Sequence, residues 1–86
     1  MDFKSRIETK LRAAFDPARL EVIDESQNHA GHGGWREGGE THFRVRIAAA
    51  AFAGKSRVET HRAINQVLQS ELAERVHALA IEAQGA

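Results

Sequence analysis

Residues 41–47, THFRVRI, alternate without a break. Phe43, Val45 and Ile47 point one way; His42, Arg44 and Arg46 point the other. A period of two predicts a strand with one buried face, as in an antiparallel pair. Its partner lies upstream in LEVIDES, residues 20–26, where Leu20 and Val22 flank Glu21 and the run ends in polar turn formers. Residues 27–40 separate the two, fourteen positions of which five are glycine. Hairpin loops usually run to about two to five residues, and longer patternless ones tend to be functional or disordered. A flexible loop over 27–40 is therefore expected.

The remaining elements fall on either side of this hairpin. Phe3, Ile7, Leu11, Ala14 and Phe15 form one stripe at helical spacing, while Lys4, Arg6, Glu8, Lys10 and Arg12 form a solvated face. Asp16-Pro17 ends that helix, because a residue before proline is pushed out of the helical region. Residues 48–54, AAAAFAG, form a small-residue connection with room for a helical turn and with Phe52 as its anchor into the core. Ser56 and Glu59 have capping-box spacing, which starts a helix over 56–74 with Val58, Ile64, Val67, Leu68 and Leu72 as its apolar stripe and His61 at the edge. In residues 76–83, VHALAIEA, His77, Leu79, Ile81 and Ala83 alternate, giving a third strand before a short disordered tail at 84–86. The order is α-β-β-α-β: an α+β fold with a three-stranded mixed sheet and both helices on one face. It occupies 1–86 as a single domain.

Composition narrows the function classes. Twelve basic and twelve acidic residues give zero formal charge, which argues against a dedicated nucleic-acid binder and leaves room only for a local basic patch. With no cysteine there are no disulfides, and any thiolate ligand must come from another molecule. No apolar run approaches the ~18 residues of a membrane span, and the start lacks a signal-peptide pattern, so a cytoplasmic protein with no membrane role is expected.

Tests of individual motifs remove most chemistries. Gly54-Lys55-Ser56 before a helix suggests a phosphate loop, but that motif needs glycine at position 49, which is alanine. The bare G-x-x-G of residues 31–34 lies between strands, whereas the nucleic-acid clamp it resembles joins two helices. His29-x-x-His32 lacks the helical context of a zinc protease, and nothing fixes a nucleophile beside a base, so no enzyme activity is expected. Five histidines remain notable. Imidazole ligates zinc, iron and copper, and His77 near a sheet end can approach the 27–40 loop. Two histidines from separate elements would make half of a four-ligand site, completed by soft ligands from a partner. The plainer alternatives are a half-buried strand residue for His77, a solvent-facing strand residue for His42 and a helix-edge residue for His61. Lys55, Arg57 and Arg62 gather at the start of the second helix, where a phosphate could be received or the side chains simply solvated.

Taken together, DESQNHAGH at 24–32, ETHFRVRI at 40–47, FAGKSRVETHRAINQVL at 52–68 and VHALAIEA at 76–83 resemble the BolA family. The resemblance runs from about Ile7 to Ala83. It implies a fold similar to class II KH domains without their GxxG clamp. It also implies pairing with a monothiol glutaredoxin, co-ligating a [2Fe–2S] cluster for iron–sulfur trafficking and iron homeostasis. Glutaredoxin and glutathione thiolates would supply two ligands. This chain would supply His77 from the HAL block and His29 from the loop, with His32 as substitute, and would carry no cofactor when free. Histidine ligation raises the cluster potential relative to thiolates. The family resemblance implies an alternative as well, a DNA-binding regulator of morphology and stress genes using the second helix and its preceding turn, with Lys55, Arg57, His61 and Arg62 as contacts.

Overall fold

The computed structural model describes residues 2–26 and 39–85. Helix α1 spans Phe3–Phe15, strand β1 Arg19–Asp24, strand β2 His42–Ala48, helix α2 Arg57–Val67, helix α3 Gln69–Glu74 and strand β3 Ala78–Gln84. A 3-10 turn, Ala50–Phe52, follows β2. The sheet order is β1-β2-β3, antiparallel between β1 and β2 and parallel between β2 and β3.

The alternation in β2 decides which face is covered. Phe43, Val45 and Ile47 are buried and join Ile7 and Leu11 of α1, Val22 of β1, Phe52, Ile64 of α2, Leu68 and Val76 in one core. Each fully buried side chain of this size stabilises the fold by about 1.5–3 kcal/mol. Phe52 anchors the 3-10 turn as expected: it is buried, and its ring lies 4.9 Å from that of Phe15. Among the described residues the opposite face carries no helix. Arg44 bridges Glu25 and Glu82 at 2.9 and 2.7 Å, and Arg46 reaches Glu21 at 3.2 Å, so ion pairs span all three strands. The hydrogen bond from Arg44, helped by the nearby Arg46 charge and opposed by burial, holds the Glu82 carboxyl below its ordinary value.

Helix α1 starts at an Asp2 cap whose carboxylate accepts from the Ser5 N–H at 2.7 Å, and it ends at Asp16 in a left-handed conformation, φ 45°. The Ser56–Glu59 capping box forms in both directions, at 2.9 and 3.1 Å.

Several sequence expectations need correction. The single helix over 56–74 is two helices broken at Leu68, with no proline or glycine to mark the break. Val58 is not on the buried stripe but is 55% exposed. Buried instead is Glu71, fully enclosed, whose carboxylate is met by Arg6 and Lys10 from α1 at 2.9 and 2.8 Å. Arg6 and Lys10 are thus tied to the fold and not part of a solvated face. Gln84, placed in the tail by the sequence, pairs with Ala48 as the last residue of β3. Residues 27–38 of the expected flexible loop lie outside the described residues.

Candidate metal-ligating site

Sheet polarity brings three chain segments to one end. β2 and β3 both begin there and β1 ends there. Residues 24–26, where the connection to β2 departs, therefore lie beside residues 39–41, where it returns, and beside His77 at the entry to β3.

Short polar side chains tie this end together. The Asp24 carboxylate accepts from the backbone N–H groups of Ser26 at 2.9 Å and Glu40 at 3.2 Å. The buried Ser26 hydroxyl oxygen accepts from the N–H groups of Thr41 at 2.9 Å and His42 at 3.2 Å. The two Ser26 bonds satisfy buried backbone donors at the end of the β1–β2 pairing. Gly39 has φ +75°, and its carbonyl accepts from both Nε and Nη2 of Arg75, at 3.0 and 2.7 Å. Glu40 is also left-handed, φ 59°, and its carboxylate accepts from the Phe3 N–H at 3.2 Å, so the return of the connection seats on the start of α1.

His77 sits on this frame. Its backbone N–H donates to the Thr41 carbonyl at 2.6 Å, and the next residue, Ala78, donates to the same oxygen at 3.2 Å. Its side chain is exposed. An imidazole fixed by its backbone and open to solvent is a candidate metal ligand. His42, expected to face solvent, is buried at 6% exposure. Its Nδ1 lies 2.8 Å from Thr41 Oγ1, and its ring centroid is 5.6 Å from that of His77, tilted by 53°. Among the described residues no group of three or more His, Cys, Asp or Glu side chains could hold a metal ion alone.

His29 and His32, the expected loop ligands, lie outside the described residues. The sequence reading gives Ser26, His42 and Arg75 no part in this site. An Asp-x-Ser run after a strand is a turn signal that could have found Ser26. Nothing local flags Arg75.

The basic residues of the alternative site lie at the other end of the sheet. Lys55 and Arg57 are exposed and His61 is half-buried. They line an open groove of about 370 Å³ against the last residues of β3. Arg62 is exposed but does not line that groove. The two candidate sites are therefore separate surfaces.

The architecture defines a small α+β module of α-β-β-α-β order. The family model for BolA-like proteins matches residues 11–86. The chain belongs to the BolA family, whose members are non-catalytic. It is 55% identical over 83 residues to an uncharacterized Sinorhizobium protein from the cobS 5' region, covering 95% of this chain and 89% of that one. It is 44% identical over 81 residues to the DNA-binding transcriptional regulator BolA of Escherichia coli K12, covering 94% of this chain and 73% of the regulator. The fold superposes on the BolA domain of SufE1 from Arabidopsis thaliana with a TM-score of 0.89 at 47% identity, covering 99% and 93% of the two chains. No described helix is long and apolar enough to cross a membrane.

Proposed function

We propose that this chain partners a monothiol glutaredoxin and co-ligates a [2Fe–2S] cluster carried between them with glutathione, serving iron–sulfur trafficking. The observation that carries the reading is His77: an exposed imidazole, fastened through its backbone to Thr41, at the sheet end where the histidine-bearing connection leaves and returns. His77 and His29, with His32 as substitute, would be the nitrogen ligands of a cluster whose thiolates come from the partner, since this chain has no cysteine. Anaerobic reconstitution with a monothiol glutaredoxin and glutathione tests this. A visible absorption and circular dichroism spectrum distinct from that of the glutaredoxin cluster alone is expected. A spectrum unchanged by adding this chain refutes the role, and one unchanged by the double substitution His29→Ala, His77→Ala refutes the ligand assignment.

A second reading, DNA binding through Lys55, Arg57, His61 and Arg62, draws on the exposed bases at the α2 start and on the name of the Escherichia coli relative. The neutral net charge weighs against it. Fluorescence anisotropy with duplex DNA over a salt series decides: affinity should fall on a log–log plot with slope about −0.9 per phosphate neutralised. No binding at low salt removes this reading.

A further inference from the structure

The residue pattern leaves His42 without a task, yet it is the most buried histidine among those described, at 6% exposure. A strand position on the face away from the helices should be solvated. Instead its ring is fixed on one side, where Nδ1 meets Thr41 Oγ1 at 2.8 Å, and the Thr41 hydroxyl in turn lies 3.3 Å from the Ser26 hydroxyl. Its ring also packs at a tilt against the His77 ring, 5.6 Å between centroids. Thr41 therefore holds His77 twice, through its carbonyl to the His77 backbone and through the His42 ring to the His77 side chain.

We propose that His42 is a positioning residue for His77: its immobilised ring restricts the exposed His77 imidazole to the orientation that meets a metal brought by a partner. An exposed histidine otherwise samples several rotamers and must lose that freedom on binding. A ring already fixed by Ser26 and Thr41 removes the cost in advance. The metal-facing part of this inference rests on the cluster-sharing reading above; the restriction of His77 does not, and it is measurable in the free protein.

Side-chain NMR of the free chain is the primary test, through His77 χ1 couplings and cross-ring contacts between His42 and His77. The native chain should show one dominant His77 rotamer with cross-ring contacts. His42→Phe keeps a ring of similar size and should keep that rotamer. His42→Asn keeps a polar group for Thr41 but no ring and should give averaged couplings. A purely structural role would make both variants follow their loss of stability and not the presence of a ring, and using two variants keeps the test open if one folds poorly. In the glutaredoxin complex, His42→Asn should weaken cluster retention roughly three- to tenfold, as expected for one side chain that must now be ordered, while His42→Phe stays near native. Averaged couplings in the native chain, or a single rotamer retained in His42→Asn, overturn the proposal. If the native chain forms no shared cluster, the functional reading fails, and the couplings in the free chain still decide whether His42 positions His77.

Discussion

Both Nε and Nη2 of Arg75 donate to one acceptor, the carbonyl oxygen of Gly39, at 3.0 and 2.7 Å. The planar guanidinium thereby pins the return of the β1–β2 connection to the turn that enters β3, two residues before His77. Gly39 is buried, so removing the fork strands its carbonyl. Arg75→Ala should cost about 1.5–3 kcal/mol, the usual worth of a charge-assisted hydrogen bond in such a place. Arg75→Lys should recover only part of it, because an ammonium cannot reproduce the two-pronged geometry. Urea denaturation measures both; equal midpoints for the native and alanine chains would show the fork to be idle.

Glu71 gives the fold an acid dependence. Burial alone would raise its carboxyl. The Lys10 hydrogen bond, the charges of Lys10 and Arg6 and a backbone bond outweigh burial and hold it below its ordinary value of 4.5. A depressed folded-state value means that the unfolded chain takes up the proton first as pH falls. The stabilisation is fully present above about pH 4.5 and is lost as pH drops through the depressed value. Glu71→Gln should cost about 1.5–3 kcal/mol at neutral pH and leave a shallower decline in stability on acidification. Thermal unfolding of both chains in a series of buffers reads the two slopes, and parallel slopes would rule out Glu71 as a source of the acid dependence.

These two residues show where sequence reading reaches and where it stops. The architecture is legible because each element announces itself: strict alternation in β2, the capping box at Ser56, the Asp16-Pro17 stop. Glu71 was partly legible. It follows Ile64 and Leu68 at helical spacing on a buried stripe, and Arg6 and Lys10 are four apart on α1, but their pairing is tertiary and leaves no local mark. The break at Leu68 has no breaker residue. The site divides in the same way. His77 carries its own signal through the block it sits in, whereas the burial of His42 depends on what packs beside the strand, which alternation alone does not encode.

Two left-handed glycines separate backbone strain from contact. Gly54, φ +79°, has open space where a Cβ would stand. Gly39, φ +75°, would place that Cβ 3.4 Å from the Asp24 carboxylate, the group that holds Ser26 and Glu40. Gly54→Ala should cost about 1–2 kcal/mol from conformation alone. At Gly39 the same Cβ makes only an ordinary van der Waals contact, so Gly39→Ala should cost about as much as Gly54→Ala. Urea denaturation of the two variants checks this, and a clearly larger loss at Gly39 would show that the Asp24 frame does not accept the added methyl.

His77 should separate folding from function. Its side chain is exposed, and the bond that fastens it to Thr41 is made by the backbone N–H, which alanine retains. His77→Ala should therefore change stability by no more than about 0.5 kcal/mol, the range for exposed positions that break no buried hydrogen bond or ion pair. The His42 ring loses one neighbour but keeps Thr41. On the proposed reading the same substitution removes a cluster ligand, so the shared-cluster absorbance with glutaredoxin should be lost while the variant folds as before. Urea denaturation and anaerobic reconstitution on one preparation measure both. Loss of absorbance together with a large loss of stability would assign His77 to the fold; full stability with full absorbance would remove it from the ligand set.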